Sequence, residues 1–239
     1  MSEARGLHVY ELGLVPYRDA WALQRRLAER RKAGEIEDTL LLLEHPPVVT
    51  LGRDGSRASL IGDAATFAAA GVELVESDRG GDATYHGPGQ LIAYPILDLK
   101  PDWKDIRRYV AGLEEVMIRL LADFGLQGGR RPGAPGVWLE GPPRKLGAIG
   151  ARLSRWVTHH GFALNLQPTL SHFELIVPCG LAGLAVSSVA EELGQTVELA
   201  LVGRRAAHYL AEHFGRVAHF CGDSPEPHWG DTRRGESDE

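Results

Sequence analysis

The sequence predicts a single α/β (α+β) domain in which helices flank a mixed β-sheet. Two observations carry this. Segments of helical period alternate irregularly with short apolar runs, without the steady strand–helix repeat of a Rossmann fold. At 239 residues, with 44% hydrophobic and 24% charged residues, the chain lies within reach of one hydrophobic core and has an ordinary globular composition.

Ala20, Leu23 and Leu27 recur at helical steps over residues 19–33, and Gly34 follows a basic last turn, which predicts a capped first helix. "TLLLLE" (39–44) and "VVTLG" (48–52) read as two strands, because His45-Pro46-Pro47 forbids a continuous ladder. "TFAAAG" predicts a short helix and "VELVES" (72–77) a strand. The glycine-rich "RGGDATYHGPGQ" (79–90) runs into "QLIAYPILDL" (90–99), a buried strand. The clearest helix starts near Asp102, carries Ile106, Val110, Leu113, Met117, Leu120 and Phe124 on one stripe, and stops at Gly125. "GVWLE" (136–140), "KLGAIGARL" (145–153), "RWVTHH" (155–160) and "GFALNL" (161–166) read as successive strands with glycine-rich turns. "LIV" before Pro178 is strand-like, Ser188 and Glu191 form a capping box, and a last helix covers about 197–214. The domain is expected to span 1–222, followed by a polar, disordered tail at 223–239.

A formal charge of −6 argues against nucleic-acid binding. The basic residues nevertheless cluster, at Arg25, Arg26, Arg30, Arg31 and Lys32, and again at Arg130, Arg131, Arg144, Lys145, Arg152 and Arg155. Such faces are open to an acidic partner. Two cysteines, Cys179 and Cys221, give no disulfide framework, and the most apolar run, Leu40–Leu43, is too short to span a bilayer. The start of the chain does not read as a signal peptide, so a cytoplasmic, reducing setting is expected.

The 79–90 stretch fits neither a dinucleotide fingerprint nor a Walker loop, since it lacks the Lys and precedes a strand. Its glycines let backbone approach a ligand beside Arg79, Thr84, Tyr85 and His86; the residues alone leave a site loop and a plain hairpin both open. Cys179, between Pro178 and Gly180, would project a thiol from a strand end, although a free Cys is commonly a small buried hydrophobe. Lys145 opens a strand and, if turned into a cleft near Cys179, would favour the thiolate. No metal site is expected. His208 and His213 lie about 140° apart on a helix, and His159 and His160 point to opposite faces of a strand.

"RGGDATYHGPGQLIAYPILDL", "KLGAIGARLSRWVTHHGFALNL" and "IVPCGL", preceded by "EHPPVVTLGR", resemble in order the motifs of the octanoyl-acyl-carrier-protein:protein N-octanoyltransferases, the lipoate–protein ligase B family. The resemblance covers about residues 7–215. It implies the catalytic-domain fold shared with biotin and lipoate protein ligases. It also implies transfer of an octanoyl group from the phosphopantetheine of acyl carrier protein to a lysine of a lipoyl domain, in 2-oxoacid dehydrogenases or the glycine cleavage H protein. Cys179 would be the acyl-accepting nucleophile and Lys145 its acid/base partner. Arg79, Gly80, Gly81, Asp82, Ala83, Thr84, Tyr85 and His86 would line the acyl pocket, together with Ala148, Ile149, Gly150, Gly161, Phe162 and Ala163. A thioester donor is already activated, so no ATP, metal or other cofactor is expected. Asp82 stands where the family more usually has Gln or Lys. The rival functions are an ATP-dependent lipoate or biotin ligase, a cysteine-dependent acyl hydrolase or amidase, and a non-catalytic acyl-binding protein.

Overall fold

The computed structural model describes residues 5–177 and 185–226, so Cys179 and residues 227–239 lie outside the described residues. In chain order the elements are β1 (Arg5–Leu14), α1 (Tyr17–Ala33), β2 (Asp38–Glu44), β3 (Val48–Leu51), α2 (Ala64–Ala69), β4 (Glu73–Glu76), β5 (Ala83–His86) and β6 (Gln90–Ile96). There follow α3 (Ile106–Ala122), β7 (Gly128–Gly129), β8 (Gly136–Leu139), β9 (Arg144–Ser154), β10 (Val157–Asn165), β11 (Ala185–Val186), α4 (Val189–Leu193), α5 (Leu199–His213) and β12 (Arg216–Phe220).

The main sheet runs β12-β1-β2-β6-β10-β9-β8-β7, with β11 beside β9. It is parallel among β12, β1 and β2 and antiparallel from β2 to β7. Helices cover both of its faces. Leu40, Leu42, Leu91 and Leu164 pack in one cluster with α3 and α5, while Leu41, Leu43, Ile92 and Tyr94 pack in another with Leu23 and Leu27 of α1. Burial on two sides is why "TLLLL" reads as an unbroken apolar run. A smaller sheet, β4-β3-β5, rests on Phe67 of α2 and Ile176.

Several boundaries differ from the sequence reading. "RWVTHH" and "GFALNL" are one strand, β10, and the hairpin before it turns on Arg155 and Trp156, both left-handed at φ 50° and 66°. Gly161 is no turn: a Cβ there would run into the carbonyl oxygen of Ala93 on neighbouring β6, so glycine permits the close approach. The strand-like "LIV" is instead the end of a 3₁₀ turn, Leu170–Leu175, plus a single bridge from Ile176 to Leu60. The edge strand β12 and its neighbour β1 carry no clear sequence signal and emerge only in the fold.

Among the described residues no helix is long and apolar enough to cross a membrane. Much of the basic clustering is neutralised within the chain. Arg26 pairs with Glu226, Arg31 with Asp38, Arg130 with Glu114 and Glu115, and Arg144 with Glu192.

Candidate active site

A cavity of about 380 Å³ opens where β9 and β10 meet the smaller sheet. The middle of the glycine-rich stretch is itself strand β5, paired antiparallel with β3, and its alternation sorts the residues. Thr84 and His86 face the cavity, whereas Tyr85 turns away into the cluster around Phe67 and Ile176 and hydrogen-bonds His172 Nδ1 at 2.9 Å. Tyr85 is therefore not a lining residue. Burial pushes its phenol up to about 12. The other proposed pocket residues that the structure describes line the cavity, from Arg79 to Ala83 on one wall and Ala148–Gly150 with Gly161–Ala163 on another; Lys145 joins them.

Glycine shapes the wall. A Cβ on Gly150 would sit 2.9 Å from Arg79 Cδ and 3.2 Å from the Gly80 carbonyl oxygen, so the arginine stem lies directly on that backbone. Arg79 is 6% exposed, and its guanidinium is fixed across β3: Nε donates to Thr50 Oγ1 (2.9 Å) and a terminal nitrogen to the Thr50 carbonyl (2.6 Å). Asp82 turns back on the chain, accepting from the Ala83 N–H at 2.7 Å, while Asp54 accepts from the Gly81 N–H at 3.1 Å. Both carboxylates hold the loop.

A relay of neutral groups borders the cavity. His86 Nδ1 donates to Gln90 Oε1 (2.8 Å), and Gln90 Nε2 donates to the Tyr85 carbonyl (3.1 Å) and to Asn165 Oδ1 (2.8 Å). Asn165 Nδ2 then donates to the Ser187 carbonyl at 3.0 Å, and the Ser187 N–H reaches the Lys145 carbonyl at 3.1 Å. The relay thus ties β5, β6 and β10 to the start of β9, and ends on a residue shortly after the segment that carries Cys179. Lys145 is 8% exposed, with its ammonium 5.2 Å from the centre of the Trp138 ring. Burial, reinforced by His45, holds the His86 imidazole far below the usual histidine range. His45 lies behind it, its rings 5.8 Å from those of both His86 and Tyr94. It donates from Nδ1 to the Val15 carbonyl and accepts at Nε2 from Tyr94, both at 2.7 Å, and burial lowers it to about 4.

A charged cluster meets the cavity through His160. His160 adopts a left-handed φ of 54°, which breaks the strand alternation and brings both histidines onto one carboxylate. Asp78 Oδ1 meets His160 Nε2 at 2.8 Å, and Oδ2 lies 3.8 Å from His159 Nε2 and pairs with Arg152. Burial alone would raise the Asp78 carboxyl, but the His160 hydrogen bond and charge, with Arg152 and His159, hold it well below the usual carboxylate range. These three side chains place ligand atoms within 4.8 Å of one another, an arrangement that histidine spacing on an ideal strand excluded. Arg152 bonds the carboxylate oxygen that a cation would need, and Nδ1 of both histidines is buried without a partner to orient the ring. The cluster reads as an ion-paired post.

Sequence reasoning missed Gln90, Asn165, Tyr17 and Tyr94, which line the cavity together with His160, a residue it weighed only as a metal ligand or as a partner of Cys179 in a hydrolase. Gln90 and Asn165 had one available signal: each is a polar residue at the end of an otherwise apolar buried strand, where an unpartnered amide would be costly.

Residues 16–211 match the model of the lipoyl protein ligase A/B catalytic domain. The chain is 52% identical to an octanoyltransferase of Chloroflexus aggregans over 88% of this chain and 96% of that one. It is 50% identical to an octanoyltransferase of Roseiflexus sp. over 88% of each. Among solved structures, the bipartite lipoate protein ligase of Thermoplasma acidophilum superimposes with a TM-score of 0.73 at 18% identity, covering 93% of this chain and 89% of that one.

Proposed function

The chain belongs to the lipoyl protein ligase A/B catalytic domain family, and from that premise we propose an acyl-cysteine mechanism for the octanoyl transfer that it catalyses. The donor is octanoyl-acyl carrier protein, the acceptor is a lysine of a lipoyl domain, and Cys179 carries the octanoyl group between them. The observation that supports this most is the cavity itself. Its walls include glycine backbone and apolar side chains, its volume of about 380 Å³ has room for a short acyl chain, and one buried lysine, Lys145, lines it.

In the first step Cys179 thiolate attacks the thioester carbon of the donor, and Lys145 as ammonium protonates the departing phosphopantetheine thiolate. In the second, the lipoyl-domain amine attacks the acyl-cysteine; the C–N bond forms as the C–S bond breaks. Lys145, now neutral, takes the amine proton and returns it to the leaving sulfur. The first step, a thiol–thioester exchange, is near thermoneutral and the second, thioester to amide, runs downhill; splitting one transfer into two easier steps is the advantage of the covalent route. Both steps begin from activated thioesters, so the scheme requires no nucleotide.

Intact mass measured after mixing the protein with octanoyl-acyl carrier protein, and again after adding an apo lipoyl domain, tests the scheme. One octanoyl group is expected on Cys179, passing to the lipoyl domain without ATP. Equal transfer by Cys179→Ser would refute the covalent route, and ATP-dependent labelling by Cys179→Ala would favour a ligase.

A further inference from the structure

The proton position on His86 follows from its neighbours. Gln90 has two carbonyl oxygens beside one end of its amide, those of Tyr85 and Asn165, so its nitrogen faces them and its oxygen faces His86. Asn165 is oriented in the same sense by the Ser187 carbonyl. An amide oxygen only accepts, so the ring hydrogen lies on Nδ1, and Nε2 of the neutral ring carries a lone pair. Tyr17 stacks on the imidazole, with ring centres 6.1 Å apart and planes 9° from parallel, which fixes where that lone pair stands.

We propose that His86 Nε2 is a fixed hydrogen-bond acceptor that seats the attacking amine of the acceptor lysine, with Gln90 and Asn165 as positioning residues. This rests on the acyl-cysteine reading above. The amine must arrive neutral and bring an N–H to be held. Arg79 can only donate, as can Lys145 while protonated. Asp54 and Asp82 also border the cavity, but each already holds a loop N–H, and a carboxylate beside the amine would favour its unreactive ammonium form. A neutral imidazole locked as an acceptor holds the amine without that penalty. The amine proton still passes to Lys145 and then to the departing sulfur; His86 keeps none. Burial keeps the ring uncharged, with His45, Arg79 and His160 acting in the same direction and the Gln90 hydrogen bond against them.

Nitrogen-15 NMR of histidine-labelled protein reads the tautomer directly. His86 is expected with a protonated Nδ1 and a bare Nε2 at neutral pH; the reverse assignment overturns the proposal whatever the transfer chemistry. Two variants then separate the two nitrogens. His86→Gln places a carboxamide oxygen near the Nε2 position, whereas His86→Asn keeps only the donor to Gln90. Starting from the isolated octanoyl-enzyme, transfer to the lipoyl domain by His86→Asn should fall about 100-fold, and His86→Gln should restore much of that loss. Equal rates for the two variants would sink the acceptor role. If no octanoyl-enzyme forms in the wild type, the covalent reading itself has failed, and the NMR result stands apart from it.

Discussion

Two buried imidazoles line the cavity, and their partners use them in opposite ways. His86 faces an amide oxygen, which draws the ring hydrogen to Nδ1 and leaves Nε2 to the cavity. His160 faces the Asp78 carboxylate with Nε2, so its hydrogen is held there and Nδ1 is buried without a partner. One ring offers the cavity a lone pair; the other is tied into an ion pair with Arg152. The partner, amide or carboxylate, decides which histidine can take part in chemistry and which one only braces the wall.

This contrast can be broken from either side. The largest effect is expected at Lys145. Lys145→Ala should lower the single-turnover rate of acyl transfer by 2 to 4 orders of magnitude, roughly the worth of a positioned acid/base group, with little change in thermal unfolding. A variant that turns over normally would leave this part of the cavity without an acid/base group and the contrast without its basis. The next effect is on stability. His45, behind His86, is lowered to about 4 by burial, so the folded protein keeps it neutral while the unfolded chain protonates it below about 6.5. Its share of stability is complete above 6.5 and is lost as pH falls towards 4, by about 3 kcal/mol. Urea unfolding at pH 7 and pH 4.5 measures the loss, and His45→Asn, which keeps a donor for the Val15 carbonyl, should flatten the dependence. The smallest effect belongs to the Asp78 cluster. Asp78→Asn, at a pair with Arg152 whose side chains are 36% and 27% exposed, should cost under ~1 kcal/mol of stability and leave the transfer rate unchanged. A rate loss comparable to that of Lys145→Ala would make the Asp78 cluster chemical and erase the distinction.

The residues of these two groups were legible in the sequence to different degrees. Lys145, His86 and the glycines stood out because their types and spacing are unusual between apolar strands. Helices α1 and α3 were readable from period alone, with Gly34 capping α1 at φ 76°. The cluster of Asp78, His159 and His160 was not readable. It depends on the left-handed backbone at His160, a conformation that residue type does not announce in a non-glycine residue. The same holds for the Arg155-Trp156 turn, which made Gly161 look like punctuation when it is a point of strand contact. Tyr85 was misplaced because the stretch was treated as a loop; once β5 is seen as a strand, period two turns the phenol away from its neighbours Thr84 and His86. Pairing of β1 with β12 is invisible to any local window.

That last pairing bears on how the protein is made. β1 lies between β2 and β12, and its parallel register with β12 matches Arg5 to Arg216 and Val9 to Phe220. Arg216 reaches back to bond Asp38 and Asp102, buried beneath the same edge. On the ribosome the first strand therefore emerges with one flank unpaired and waits for about 200 residues of further chain, some 10–40 s at ordinary rates of synthesis. For that interval the nascent protein offers an open strand edge, and the main sheet closes only after translation has passed Phe220.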